Sequence, residues 1–149
     1  MHFTTLFVLK NEKLENVSYV EIAEMFSERF CYNCGETRPK YRYWCDWFQI
    51  GGRWGDFFKA KKGIKGERSW TNENEPDKKG RFAIVEIADL EKEIKEDCVY
   101  AIATKSRIYK KTSDWTGEET PDAKKFDKLL SDINNKKIKG VIAFIDCHD

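Results

Sequence analysis

Val141-Ile142-Ala143-Phe144-Ile145 is a continuous apolar run that stops at Asp146-Cys147-His148. It is too short for a buried helix and rich in branched and aromatic side chains, as an inner strand covered on both faces would be. Thr4 to Leu9, Phe82 to Ile87 and Val99 to Ala103 are runs of the same kind. Together the four predict the middle of one sheet. Arg107 to Thr112 is expected to pair with Val99 to Ala103 as a hairpin, with Lys110 and Lys111 suited to an exposed edge.

Helical signals lie between these runs. Ser18-Tyr19-Val20-Glu21 reads as a capping box, and Ile22, Met25, Phe26 and Phe30 follow helical spacing, which predicts a helix over 19–30. Thr120 as N-cap, Pro121 at the first helical position and Phe126, Leu129, Leu130 and Ile133 at i, i+3, i+4 and i+7 predict a second, ended by Asn134-Asn135. A shorter helix is expected over Asp89 to Glu96. Strands interleaved with helices predict an α+β fold. Its sheet is mixed and mostly antiparallel, with two or three helices, and a split βαβ core of the ferredoxin-like kind is the specific candidate.

The 149 residues are one domain's length, enough to bury roughly 70% of the unfolded surface, and exclude a multidomain enzyme. Charged residues reach 36%, yet 27 basic against 26 acidic side chains leave +1, and 40% hydrophobic content excludes a disordered chain. No apolar run approaches the 18 or so residues of a membrane span, and the first residues lack the pattern of a signal peptide. Five cysteines, an odd number, fit a reducing compartment, so the expected location is the cytoplasm.

Two stretches depart from the strand and helix pattern. Thr71 to Gly80 has no aliphatic or aromatic residue and reads as a mobile loop. Cys31 to Trp70 reads as an aromatic and basic insertion, with 9 basic and 4 acidic residues and 10 of the 21 aromatics. Within it, two aromatic runs flank Gly51-Gly52. A Gly-Gly pair accepts the positive φ of a tight turn, so Tyr43 to Ile50 and Arg53 to Lys59 are expected to pair as a hairpin. The glycines open backbone N–H groups to a ligand, Arg53 offers a planar cation for a phosphate, and Trp47 and Trp54 offer stacking faces. The competing reading makes the tryptophans core and Arg53 a salt-bridge partner of Asp46 or Asp56.

Asp46-Trp47-Phe48-Gln49-Ile50-Gly51-Gly52-Arg53-Trp54, together with Phe144-Ile145-Asp146-Cys147-His148, resembles a group of small uncharacterised proteins of bacteriophages and prophages. The group shares an Asp-Trp-aromatic-x-Ile-Gly-Gly-Arg-Trp signature and a hydrophobic strand finishing in Asp-Cys-His. The match covers about a tenth of the chain. It implies a phage or mobile-element origin and a joint role for the two blocks. This chain departs from the pattern in Phe48, where Tyr is common, and in the cysteines ahead of the signature.

Cys31-Tyr32-Asn33-Cys34 has the spacing at which two thiolates meet one tetrahedral zinc, and Cys45 follows. A fourth ligand would come from Cys147, His148 or His2. Free thiols are the alternative. Cys98, opening a strand, is expected to be buried. Asp146-Cys147-His148 ends a core strand, where α/β proteins place sites. His148 as general base, Asp146 orienting it and Arg53 holding a phosphoryl oxygen would make a small phosphodiesterase or hydrolase. A Cys147–His148 nucleophile pair is disfavoured, because adjacent strand residues point to opposite faces. No phosphate loop, H-E-x-x-H or G-x-S-x-G motif is present.

The favoured expectation is a phage-type accessory protein binding a nucleotide-like or other anionic ligand through Trp47, Gly51, Gly52, Arg53 and Trp54, to counteract a host defence. The hydrolase is one alternative. A protein-binding inhibitor, with a host defence protein as partner and no small ligand, is the other. Nucleic acid is a less favoured partner, and no membrane is expected.

Overall fold

The computed structural model describes residues 2–31, 44–52, 58–68 and 81–148. Among these the chain runs β1 (His2–Lys10), α1 (Tyr19–Phe30), β2 (Trp47–Gly52), β3 (Phe58–Lys59), β4 (Glu67–Arg68), β5 (Arg81–Phe82), β6 (Ile84–Glu86), β7 (Ala101–Ala103), β8 (Ile108–Lys110), α2 (Ala123–Asn134) and β9 (Gly140–His148). The fold is α+β with one mixed, mostly antiparallel sheet and two helices, and its sheet order is β4-β2-β9-β1-β7-β8. β9 is the hub. It pairs with β1 from His2↔His148 to Lys10↔Gly140. Its other side is shared end to end by β2, against residues 145–148, and β6, against 141–143. The pair β3–β5 forms a separate small sheet.

The sequence runs read as inner strands occupy β1, β9, β7 and β6. They lack polar alternation because a helix covers each face of the sheet. On one face Ile22, Phe26 and Phe30 of α1 pack with Phe7, Leu9, Ala143 and Ile145. On the other, Phe126, Leu129, Leu130 and Ile133 of α2 pack with Leu6, Val8, Ile142 and Phe144. Each fully buried Phe, Leu or Ile here contributes roughly 1.5–3 kcal/mol.

The cap of α1 is the expected one: the Ser18 hydroxyl accepts from the Glu21 amide at 3.2 Å. α2 starts later than its sequence signals suggest. Thr120 Oγ1 accepts from the Asp122 amide and Thr120 O from the Ala123 amide, so 120–122 form a turn and Asp122 is the N-cap. The helix expected over Asp89 to Glu96 is replaced by 3₁₀ turns at Ile87–Asp89 and Glu96–Cys98. Tertiary hydrogen bonds win there. The Asn134 side chain donates to Ile94 O at 2.9 Å and accepts from Ile94 N at 2.8 Å, and Leu90 bridges Ala60.

The expected β7–β8 hairpin is present, with β8 at the sheet end. Its lysines are less open than an edge predicts, because Lys110 pairs with Asp114 and Lys111 with Glu96 and Asp127. β8 and β9 run parallel and are joined by α2, with β1 and β7 between them. Residues 53–57 of the hairpin expected across Gly51-Gly52 lie outside the described residues; among the described ones, β2 pairs with β9 and β4, and β3 with β5. Among the described residues no helix is long and apolar enough to cross a membrane.

Candidate functional site

Three adjacent strands end in step. His2 of β1 faces His148 of β9, which faces Trp47 of β2. One step inward, Thr4, Asp146 and Gln49 form a second row on the same face. Behind it come Leu6 and Phe144, then Val8 and Ile142, beneath α2. The apolar face that holds α2 therefore continues past the helix as a polar patch, and the strand period of two places every member of it.

Within the patch, His2 Nδ1 is 2.9 Å from Asp146 Oδ1, and Asp146 is fully buried. A carboxylate only accepts, so Nδ1 carries the proton, and in the neutral imidazole the lone pair is on Nε2. The His148 ring stacks on Trp47, with centroids 4.7 Å apart at 19°, and meets His2 edge-on at 4.8 Å. His148 Nδ1 is buried with no hydrogen-bond partner among the described residues. Trp47 is 38% exposed and His2 21%, so the patch opens outward at its first row while Asp146 closes its floor.

Gly51 and Gly52 form the third side. Both have positive φ, +92° and +75°. A Cβ on Gly52 would lie 2.4 Å from Asp146 Cβ and 2.5 Å from Oδ2, so the backbone packs directly against the carboxylate. The positive φ expected of this pair is present, and at Gly52 it accompanies this close approach.

The two sequence blocks are thus brought together. The expected division of labour within them changes: Asp146 hydrogen-bonds His2, a residue considered from sequence only as a metal ligand, and no bond from Asp146 to His148 is seen. Asp46 meets His148 through its backbone, donating to His148 O at 2.8 Å. Arg53, Trp54, Asp56 and Cys34, and the loop over 71–80, lie outside the described residues. The period-two pattern of β1 was the available signal for His2, since extending the run by two residues puts it in phase with Thr4, Leu6 and Val8.

The opposite face of the same strand ends is closed. Cys147 is buried there with its thiol 3.4 Å from Thr5 Oγ1, which also accepts from Trp44 Nε1 at 2.9 Å. Cys147 and His148 point apart, as expected. Cys31 and Cys45 share this face's core, fully buried and bridged backbone to backbone, and Cys31 Sγ donates to Asp46 O. Among the described residues no three His, Cys, Asp or Glu side chains form a metal-holding group. Cys98 is exposed rather than buried, because its segment is a surface 3₁₀ turn and β7 starts only at Ala101.

A cavity of about 1310 Å³ lies between α2 and the segment 93–100, and His2 and Thr4 line one end of it. Tyr100 and Lys111 are also on its wall. Burial and a short hydrogen bond to Asp114 raise the Tyr100 hydroxyl above its ordinary value, while the Lys110 and Tyr100 hydrogen bonds hold Asp114 below the usual carboxylate range. Lys110, 5.1 Å above the Tyr100 ring, is lowered by burial but raised more by its bonds to Asp114 and Tyr100. No known family model, curated protein or solved structure matches the chain.

Proposed function

We propose that the protein binds an anionic, nucleotide-like ligand at the patch of His2, Trp47, Gly51, Gly52 and His148. The observation that carries this reading is the meeting of two blocks nearly a hundred residues apart around one buried carboxylate, with Trp47 left half-open. A core tryptophan would be sealed, as Trp44 is at 9% exposure. An indole stacked on one side by His148 and open beyond it is suited to a base, and the glycine amides to phosphate oxygens. Arg53 and Trp54 follow Gly52 directly in sequence and belong to the proposal as anion grip and second stacking face. The resemblance to phage proteins extends it to an accessory role in which the ligand is withheld from a host defence.

Native mass spectrometry against nucleoside mono-, di- and triphosphates and cyclic dinucleotides tests the reading. Retention of one ligand per chain is expected, weakened at least tenfold by Trp47→Ala or Arg53→Lys. No adduct with any member, and no co-purified anion, would overturn it. One observation favours a protein partner instead: Trp115, at the tip of the turn after β8, is 97% exposed. That second reading predicts that Trp115→Ala abolishes capture of the partner and leaves nucleotide retention unchanged.

A further inference from the structure

We propose that His2 is a general base that activates water against a phosphoanhydride bond of the bound nucleotide; this rests on the reading above that the ligand is a nucleotide. Three observations point to His2. Its Nδ1 is held at 2.9 Å by a fully buried carboxylate, so the ring orientation is set and Nε2 is the nitrogen that carries the lone pair of the neutral imidazole. Asp146 itself is held in place, since the Gly52 backbone packs against its Cβ and Oδ2. The ring is neither sealed nor fully solvated, at 21% exposure, and it borders the cavity of about 1310 Å³ with Thr4. A base, its orienting partner and adjoining space for a reacting atom are the three geometric parts of acid–base chemistry. A purely structural His–Asp pair at a sheet end needs only the first.

Asp146 is a positioning residue in this scheme and His2 the catalytic one. His148 is packed between Trp47 and His2 and donates no hydrogen bond to Asp146, so the general-base role expected of it passes to His2, its neighbour across the strands. In the reaction the water oxygen forms a bond to phosphorus and the bridging P–O bond breaks. The water proton moves to His2 Nε2 and from there to solvent. The leaving phosphate departs with the bond electrons as a stable anion, so no general acid is required. That is why an anhydride, rather than an alkyl diester, is the substrate class assigned.

The test uses ATP, followed by ³¹P NMR, and bis(4-nitrophenyl) phosphate, whose leaving group likewise departs as an anion. Wild-type protein should hydrolyse both, with a rate that rises with pH as an imidazole loses its proton. His2→Gln keeps a donor for Asp146 without a base, and should retain the melting temperature while losing, at saturating ATP, at least about 100-fold in rate and the pH-dependent limb. His2→Ala should behave alike in rate. Hydrolysis undiminished in His2→Gln overturns the proposal. ATP bound but not hydrolysed by wild type overturns it and leaves the binding reading standing, whereas no nucleotide bound or cleaved removes both.

Discussion

The last three residues of β9 serve the two faces of the sheet in opposite ways. On the α1 side Cys147, Thr5 and Trp44 place polar atoms in a closed core and satisfy them against one another. On the α2 side His148, Asp146, His2 and Trp47 continue the sheet past the end of its helix, with the carboxylate buried and the rings partly open. The backbone is common to both, so the difference lies in what covers each face. A buried polar group whose every partner is internal is architecture. A buried carboxylate orienting a half-open imidazole beside a cavity keeps one polar edge for something else.

The largest expected effect tests whether the glycine side of the patch holds it together. Gly52→Ala puts a methyl 2.4 Å from Asp146 Cβ at a φ of +75°. Strain and overlap together should cost about 3 kcal/mol, a fall of roughly 6–12 °C in melting temperature for a chain of this size. An unchanged melting curve would show that β2 is not packed on Asp146. Next comes the closed face. Thr5→Val removes the acceptor used by Trp44 and Cys147, and chemical denaturation should register a loss of about 1–3 kcal/mol with ligand retention intact. Weakened retention with unchanged stability would blur the distinction between the faces.

Trp47→Ala is the counterpart on the open face. It loses one stacking contact at a half-exposed site, so stability should fall by only about 1 kcal/mol while nucleotide retention drops at least tenfold. The reverse balance would make Trp47 a core residue. The smallest effect lies outside both faces, at Asp114. Its carboxyl is lowered in the folded chain, so its contribution is present above the ordinary carboxylate value near 4 and fades as pH falls through the folded value. The side chain is 53% exposed, so screening limits this to a few tenths of a kcal/mol. Acid melts of Asp114→Asn should be slightly flatter than wild type below pH 5, and a steeper curve would contradict the assignment.

The elements that were legible from sequence are those whose signals are local. Ser18 and the spacing of Ile22, Phe26 and Phe30 define α1 because cap and apolar stripe lie within one helix. Alternation along β9 sends Cys147 and His148 to opposite faces whatever the neighbours are. The helix expected over Asp89 to Glu96 is absent because the bonds that hold this segment irregular come from Asn134 and Ala60, far along the chain. At Gly51-Gly52 the positive φ is legible as a property of the pair, but the packing partner of Gly52, Asp146, lies far along the chain.

Sequence alone determined the α+β class, the first helix and the apolar core strands, since each follows from backbone geometry and side-chain period within a few residues. Tertiary structure decided that β9 lies between β1 and the β2–β6 edge, that the two sequence blocks meet, and that Asp146 orients His2. Those choices join residues up to 146 apart. Loop-closure entropy rises only slowly with such separations, so it barely discriminates among partners, and the selection falls to packing on the two faces of the sheet.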